Sequence, residues 1–203
     1  MDFSLQYLVY LANKKRINMV TTLVSVQDYF ELLRESDVKL EYHAGEIVAM
    51  AGAQPGHNIA VANILGEFFQ CFKKQGCLIM SSDQLVKIEQ CEIYTFPDLV
   101  IVCDAPVYEK SPGGLDALLN PTIIIEVLSD STELYDRSEK LECYQTLSSL
   151  QEYVLVASKK KKVEVFRKNQ NAEWVHHVYK SGKLSIGNCE IDIEAIYDRV
   201  AFD

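Results

Sequence analysis

The segment that decides the fold is Thr122-Ile123-Ile124-Ile125-Glu126-Val127-Leu128, an almost wholly apolar run that carries one acid. Apolar residues at successive positions predict a strand that is buried on both faces of a sheet. An unpaired carboxylate in such a strand would cost several kcal/mol. We therefore expect Glu126 to have a partner, which is either a metal ion or a basic side chain.

A second segment, Pro97-Asp98-Leu99-Val100-Ile101-Val102, repeats this pattern and places Asp98 at the mouth of a strand, after a proline that cannot join a ladder. Two acids on two buried strands favour Mg²⁺, with Mn²⁺ as a substitute, because one or two carboxylates hold Mg²⁺ while water and phosphate oxygens complete its coordination. A carboxylate bonded to backbone or to an arginine is the alternative for each acid, and above all for Asp98.

The helix predicted after Glu126 carries Asp136, Lys140 and Tyr144 at four-residue steps, so these three residues share one stripe. One interpretation is a surface Asp–Lys pair. The other is that Lys140 leans over the helix edge toward Glu126 and either stabilises negative charge on a reacting phosphate or orients the attacking water. A lysine at a helix edge is expected to contribute little to stability. Lys87, on a neighbouring predicted strand, is the alternative source of positive charge.

His57 follows Gln54-Pro55-Gly56 at the start of a predicted helix and faces the core. A lone histidine there is commonly a hydrogen-bonded structural residue. The alternative is that His57 orients a water molecule or a substrate group. The run Lys159 to Lys162 lies in a predicted hairpin turn, where it is either a solvated loop tip or a local phosphate contact.

The composition of the 203 residues, 48% hydrophobic and 24% charged, is that of a single globular domain. Its apolar runs are far shorter than the roughly 20 residues that cross a bilayer, and we expect a cytoplasmic protein without a membrane segment. The net charge of −9 argues against a general nucleic-acid coat protein, which needs lysine and arginine to neutralise phosphates. An enzyme whose carboxylates hold a metal ion is compatible with that charge.

The six cysteines are scattered among apolar neighbours without a CxxC pair, which predicts reduced thiols and no zinc site. They are Cys71, Cys77, Cys91, Cys103, Cys143 and Cys189.

Periodicity and turn residues predict a mixture of helices and strands. The first predicted helix begins at Ser25, and the others cover 55–75, 132–147 and 193–197. Two short strands within 38–50 turn at Gly45, and the first of them carries Glu41. The remaining predicted strands cover 77–81, 84–89, 93–103, 122–128, 152–157, 162–168 and 173–179.

Several short motifs occur in a fixed order along the chain. They are Leu40-Glu41-Tyr42, Gly45-Glu46, Pro55-Gly56-His57, Ser82-Asp83, Phe96-Pro97-Asp98, Leu119-Asn120-Pro121, Glu126-Val127-Leu128-Ser129, and Asp136 with Lys140 and Tyr144. In combination, over residues 22–170, they closely resemble the Uma family of restriction endonucleases, which belongs to the PD-(D/E)xK nuclease superfamily.

The resemblance implies a restriction-endonuclease-like α/β fold, a mixed central sheet flanked by helices, to which we add C-terminal antiparallel strands. It also implies Mg²⁺-dependent hydrolysis of phosphodiester bonds in DNA. Glu41, Asp98 and Glu126 match the family's acids and are the expected metal ligands. The superfamily's lysine is absent two residues after Glu126, where Leu128 stands, so Lys140 would replace it. A homodimer is expected by analogy.

We expect residues 1–21 to form an N-terminal arm, which is either disordered or the product of an upstream start codon, and residues 22–203 to form a single domain. Two alternatives to the endonuclease stay open. One is a catalytically silent nuclease-fold protein with a binding or structural role. The other is a hydrolase of another small phosphate ester.

Overall fold

The computed structural model describes residues 23–50, 52–112, 114–130 and 132–202. Its helices are α1 Val26–Glu35, α2 Pro55–Lys74, α3 Glu133–Arg137, α4 Glu139–Gln145 and α5 Ile193–Ile196, with a 3-10 turn at Glu89–Cys91. Its strands are β1 Leu40–His43, β2 Glu46–Ala49, β3 Leu78–Ser81, β4 Val86–Ile88, β5 Ile93–Thr95, β6 Leu99–Val102, β7 Tyr108–Glu109, β8 Ala117–Leu118, β9 Ile123–Leu128, β10 Glu152–Ala157, β11 Val163–Lys168, β12 Trp174–Tyr179, β13 Lys183–Ile186 and β14 Cys189–Asp192. Every helix in this part of the chain is too short or too polar to cross a membrane. The arm predicted at residues 1–21 lies outside the described residues.

The larger sheet contains six strands in the order β12-β11-β10-β9-β6-β3. β9 and β10 are parallel, whereas the other neighbouring pairs are antiparallel. A parallel pair needs a crossover connection, and here α3 and α4 provide it between the end of β9 and the start of β10. The predicted fold class is therefore confirmed: the sheet is mixed, helices flank it, and antiparallel strands follow at the C-terminal end.

The apolar run of β9 is buried on both faces, as its sequence predicts. Successive side chains of a strand point to opposite faces of the sheet. Ile125 packs in a cluster with Phe68 and Phe72 of α2, whereas Ile124 packs in a second cluster with Tyr144 of α4. The larger sheet is consequently covered by α2 on one face and by α4 on the other.

The smaller sheet also has six strands, but each has only two to four residues, and their order is β2-β1-β5-β4-β8-β7. It positions Glu41 on β1. The β1–β2 turn is formed by Ala44 and Gly45, whose φ angles of 48° and 97° lie in the left-handed region that glycine adopts without steric cost. Tyr29 of α1 is fully buried and donates its hydroxyl hydrogen to the Leu40 carbonyl oxygen at 2.9 Å. This bond fixes α1 against the hairpin predicted within 38–50.

Several elements differ from their predictions, among them the short strands β7 and β8, which no predicted strand covers. The helix predicted over 132–147 is two helices, because Ser138 has φ −121° and ψ −97°, outside the helical region. The strand predicted over 93–103 is interrupted between β5 and β6, where Pro97 lacks the N–H that a ladder requires. The hairpin of β13 and β14 was not predicted, because each strand has only four residues and buries only part of them.

The prediction of reduced thiols is wrong. The cysteines form three disulfides, which are Cys71–Cys189, Cys77–Cys103 and Cys91–Cys143. Cys77 and Cys103, for example, flank the paired strands β3 and β6, which bring them opposite each other. Such pairing depends on the fold, whereas the prediction rested on spacing along the chain, from which connectivity cannot be deduced.

Candidate active site

Asp98 and Glu126 lie on neighbouring antiparallel strands. Leu99 of β6 pairs with Ile125 of β9, so one further step along each strand brings Asp98 opposite Glu126. The Asp98 N–H donates to Glu126 Oε2 at 3.2 Å, and the Val127 N–H donates to Asp98 Oδ2 at 2.7 Å. Each carboxylate is thus held by the main chain of the other acid's strand, and the two are oriented together.

Lys140 reaches this pair from α4. Its Nζ lies 2.8 Å from Glu126 Oε1, 3.6 Å from Asp136 Oδ1 and 3.9 Å from Glu41 Oε1. Only 5% of Lys140 is exposed, so the expected surface position at the helix edge is wrong, and the argument that Lys140 contributes little to stability loses its premise. The stripe of Asp136, Lys140 and Tyr144 faces the sheet instead of solvent, which also makes the Asp–Lys pair a buried one.

Tyr144 adds a neutral donor to the same cluster. It is fully buried, and its hydroxyl donates to Glu126 Oε1 at 3.3 Å. Glu126 Oε1 therefore receives both a lysine ammonium and a tyrosine hydroxyl, while Oε2 faces the Asp98 backbone. Contacts to both carboxylate oxygens therefore fix the orientation of the Glu126 side chain.

Glu41 enters the cluster from the smaller sheet with both oxygens engaged. Its Oε1 accepts from the Thr95 hydroxyl at 2.5 Å and from the Phe96 N–H at 2.9 Å, and its Oε2 lies 3.1 Å from His43 Nε2. Burial alone would raise the pKa of Glu41, but the Lys140 ammonium and these hydrogen bonds stabilise the carboxylate and lower the pKa to about 2. Glu41 is ionised across the physiological range.

Glu126 shows the opposite shift. Burial raises the pKa of Glu126 to about 8, the charges of Asp136 and Asp98 act in the same direction, and Lys140 offsets only part of the effect. Burial disfavours the Lys140 ammonium, yet the surrounding acids raise its pKa well above the ordinary value. Both pKa shifts depend on how the single Lys140 ammonium is shared among the neighbouring acids. The Lys140 ammonium lies closer to Glu126 than to Glu41, but it is shared among three acids and leaves the pKa of Glu126 above its ordinary value.

His57 of α2 approaches Asp98 from the other side of the pair. Its Nε2 lies 3.1 Å from Asp98 Oδ2. Burial lowers the pKa of His57, but the hydrogen bond and the negative charge of Asp98 outweigh burial and raise it above the ordinary value. The structure thus brings His57 to the site through Asp98, whereas Glu41 reaches it through Lys140.

The donor set fits a cation held by two carboxylates. Among the described residues, no three His, Cys, Asp or Glu side chains are grouped closely enough to hold a metal ion. Mg²⁺ does not require three protein ligands, since it keeps several waters and takes phosphate oxygens. The interlocked Asp98 and Glu126 meet this requirement. Glu41 and Glu126 both have their two oxygens engaged, so a cation would have to displace a partner to bind either acid directly, and the expectation that Glu41 supports the cation directly or through water stays a prediction.

Two other basic candidates are engaged elsewhere. Lys87 Nζ lies 2.6 Å from Glu109 Oε2, away from the acidic cluster. In the lysine run, Lys159 pairs with Asp130 and Lys162 with Glu164. Neither feature contributes a charge to the Asp98–Glu126 pair.

Sequence reasoning missed Thr95 and His43, two side chains that contact the Glu41 carboxylate. Thr95 is fully buried in β5, directly before the Phe96-Pro97-Asp98 motif. His43 stacks on Tyr135 of α3, with ring centroids 5.1 Å apart. A threonine in a buried strand directly before the Phe96-Pro97-Asp98 motif was the one signal that could have indicated Thr95.

Comparison with known proteins identifies the family. The chain matches the model of the Uma2 family, described as "Putative restriction endonuclease", over residues 26–191, and it belongs to that family. It is 30% identical over 182 residues to the uncharacterized protein slr1290 of Synechocystis sp. (strain ATCC 27184 / PCC 6803 / Kazusa), a match that covers 88% of this chain and 94% of the relative. The uncharacterized protein sll1609 of the same strain is 28% identical over 155 residues, covering 76% and 86%.

A solved structure shares the fold. The crystal structure of "a putative nuclease belonging to DUF820" from Anabaena variabilis ATCC 29413 superposes with a TM-score of 0.70 at 15% identity and covers 88% of this chain and 99% of its own. The family resemblance read from the motifs is confirmed, and the nuclease-like fold with it.

Proposed function

We propose that the protein is a Mg²⁺-dependent endonuclease that hydrolyses phosphodiester bonds of DNA. The observation that carries the proposal is the interlocked pair Asp98 and Glu126 with the buried Lys140 ammonium 2.8 Å from Glu126. Two carboxylates and one lysine on adjoining elements correspond to the donor set of the PD-(D/E)xK superfamily. Membership of a family described as restriction endonucleases makes DNA the first substrate to test.

In this mechanism Asp98 and Glu126 would hold the cation, and Mn²⁺ is an expected substitute. Bound Mg²⁺ would supply a Lewis acid that polarises a phosphoryl oxygen and lowers the pKa of the attacking water. Lys140 keeps a positive charge beside Glu126, where charge develops on the reacting phosphate. Glu41 holds the Lys140 ammonium in its charged form, and His57 fixes the position of Asp98 through Oδ2.

A second candidate has its own support. Three carboxylates surround Lys140 and only 5% of the residue is exposed, an arrangement that a catalytically silent fold would also preserve as a structural charge cluster. A silent protein of this kind would bind Mg²⁺ no better than the Glu126→Gln variant does. The net charge of −9 also suits a protein without a broad DNA-binding surface.

The test combines cleavage with metal binding. Wild-type protein, Asp98→Asn and Glu126→Gln are incubated with supercoiled plasmid, single-stranded DNA and a phosphodiester of a small alcohol, each with Mg²⁺, Mn²⁺ or EDTA. We expect DNA cleavage that needs a divalent ion and both acids, with Mg²⁺ binding by calorimetry lost in both variants. If the protein binds metal and hydrolyses the small ester but cleaves no DNA, the substrate is another phosphate ester. The silent protein is indicated when neither binding nor cleavage depends on Glu126.

Two further expectations belong to this proposal. An enzyme that cuts DNA acts where DNA lies, so we place it in the cytoplasm. A homodimer would bring two such sites to the two strands of a duplex, and light scattering of the purified protein measures its mass directly. A monomer would restrict the protein to one strand per encounter.

A further inference from the structure

The disulfide Cys91–Cys143 connects the two layers that build the candidate site. Cys91 ends the 3-10 turn between β4 and β5 of the smaller sheet, and Cys143 lies in α4. β5 pairs with β1, the strand that carries Glu41, and the Ala44 N–H on that hairpin donates to the Glu92 carbonyl at 3.1 Å. The disulfide therefore fixes the layer that supplies Glu41 to the helix that supplies Lys140.

α4 depends on such an attachment. It has seven residues, fewer than the roughly 12–15 that an isolated helix needs to be even marginally stable, and the irregular backbone at Ser138 separates it from α3. Its other anchors include the buried Tyr144, the packing of Leu141 against the same apolar cluster, and the ion pairs of Lys140. Of the three disulfides, Cys91–Cys143 is the one that includes a residue of α4.

Both cysteines of this disulfide are partly exposed. Cys91 and Cys143 are half-buried, whereas Cys71–Cys189 joins a half-buried and a buried residue and Cys77–Cys103 joins a buried and an exposed one. An attacking thiolate needs access to a sulfur atom. Disulfides in a cytoplasmic protein are commonly redox-responsive, because that compartment keeps thiols reduced.

We propose that Cys91–Cys143 is a redox modification site at which a dithiol reductant releases α4 and separates Lys140 from Glu41 and Glu126. A thiolate of the dithiol attacks one sulfur, the Cys91–Cys143 bond breaks, and the departing cysteine thiolate takes a proton. The second thiol of the reductant then displaces the other cysteine. The protein gains two electrons and two protons as two thiols, and the dithiol becomes a disulfide. This regulatory role rests on the proposed nuclease function, but the release of α4 does not.

The experiment uses the full chain purified without reductant. Peptide mapping after alkylation establishes whether Cys91 and Cys143 are linked, and free thiols at both positions would overturn the proposal. Hydrogen exchange of residues 139–147 is then followed during graded reduction with dithiothreitol, while the fraction of each disulfide opened is measured in the same samples. We expect exchange in this segment to become at least tenfold faster as Cys91–Cys143 opens.

Matched variants separate this disulfide from general loosening. The double variant Cys91→Ser/Cys143→Ser should show fast exchange at 139–147 before reduction and no further response of that segment. The double variant Cys71→Ser/Cys189→Ser should keep the segment protected until dithiothreitol is added. Unchanged exchange at 139–147 on reduction of wild-type protein, or an equal response in both variants, would overturn the proposal. The graded reduction of wild-type protein decides the matter alone if a variant does not fold.

Cleavage provides the second readout. Where wild-type protein cleaves DNA, reduction should lower the rate at least tenfold in step with the opening of Cys91–Cys143, and reoxidation should restore it. A rate that is independent of the redox state would overturn the regulatory role. When no preparation cleaves DNA in either state, the proposed function fails, and the exchange data still decide whether the disulfide holds α4.

Discussion

Glu126 and Glu164 are two buried glutamates on one face of one sheet. They lie on β9 and β11 on either side of Leu155, with 4% and 5% of each residue exposed. Glu164 is surrounded by cations: it pairs with Arg137, its Oε2 lies 2.8 Å from Lys162 Nζ, and its Oε1 lies 3.1 Å from His176 Nε2.

Glu126 is in the opposite situation, because it shares one lysine with Glu41 and Asp136. Burial acts to raise the pKa of both glutamates, but hydrogen bonds and charges from Lys162 and Arg137 leave that of Glu164 below its usual value, whereas that of Glu126 rises to about 8. Burial alone therefore does not distinguish a structural acid from a candidate ligand. The ratio of acids to cations around the carboxylate does.

The largest expected effect comes from replacing each glutamate by glutamine. Glu126→Gln should lower DNA cleavage by about 10³-fold or more, exceeding the ~10²–10³ expected for one preorganised donor, because a metal ligand is lost. Its free energy of unfolding without metal should hold or rise, since glutamine replaces an acid whose ionised form burial disfavours. Glu164→Gln should instead lower the free energy of unfolding by about 1–3 kcal/mol, as for losing charged hydrogen bonds, with cleavage retained. Urea unfolding and plasmid cleavage measure both. A Glu164→Gln variant that is stable and inactive would invert the comparison.

Lys140→Ala removes the single cation from the acidic cluster. Cleavage should fall by about 10²–10³-fold. Because Lys140 is buried, the free energy of unfolding should also fall at neutral pH, by about 3–5 kcal/mol, as three acids lose their counter-charge. Lys140→Met keeps the volume of the side-chain stem and therefore controls for misfolding of the alanine variant. It should lose the same activity.

Lys87→Ala is the matched control, since Lys87 pairs with Glu109 away from the site. It should cleave at the wild-type rate. If Lys140→Ala cleaves at the wild-type rate and Lys87→Ala is inactive, Lys87 of the smaller sheet supplies the positive charge instead of Lys140.

The pH dependence of stability should differ in sign for the two glutamates. A carboxyl group whose folded pKa is raised contributes stability that is complete below its unfolded pKa of about 4.3 and is lost as pH rises. For Glu126 this loss extends to about pH 8, with a slope of at most about 1.4 kcal/mol per pH unit. Glu164 has a lowered pKa, so its contribution is present above about pH 4.3 and is lost on acidification.

Unfolding titrations between pH 3 and 9 test both signs. The difference between Glu126→Gln and wild type should grow in favour of the variant from about pH 5 to 8. Wild-type affinity for Mg²⁺ should rise over the same window, because the ligand must lose its proton. Parallel curves for wild type and Glu126→Gln would contradict the raised pKa.

The smallest effect concerns the hydroxyl that touches Glu126. Tyr144→Phe removes a hydrogen bond of 3.3 Å and should lower the free energy of unfolding by about 0.5–1.5 kcal/mol, with cleavage changed only severalfold. Tyr153→Phe removes a comparable bond, from the Tyr153 hydroxyl to the Asp136 carbonyl at 3.1 Å, and is the control. A loss of cleavage confined to Tyr144→Phe would indicate that this hydroxyl orients Glu126.

The sequence predicted the large sheet well because β6 and β9 are dense apolar runs whose burial leaves no other solution. It also predicted that Asp98 and Glu126 lie on buried strands, since one acid among apolar residues is conspicuous. Burial and clustered charge predict that at least one acid has a raised pKa, but which acid is raised and which is lowered could not be predicted. The outcome depends on how one ammonium is shared among Glu41, Glu126 and Asp136, and therefore on distances that only the packed layers fix.

Other errors have the same origin. Lys140 was expected at a helix edge because four-residue spacing defines a stripe but does not define which layer the stripe faces. The cysteine pairs were missed because each joins distant segments. Thr95 was overlooked since a threonine in a strand is ordinary, and only its 2.5 Å bond to Glu41 gives it a role.

The parallel pairing of β9 and β10 has a consequence for recombination between related genes. Because the crossover helices lie between these strands, one continuous segment of the chain, 123–157, contains Glu126, Asp136, Lys140 and Tyr144. An exchange with breakpoints in the flanking loops would transfer the lysine together with two of its acids. Asp98 would come from the other parent, and the two backbone bonds that interlock it with β9 are what a chimaera must re-form.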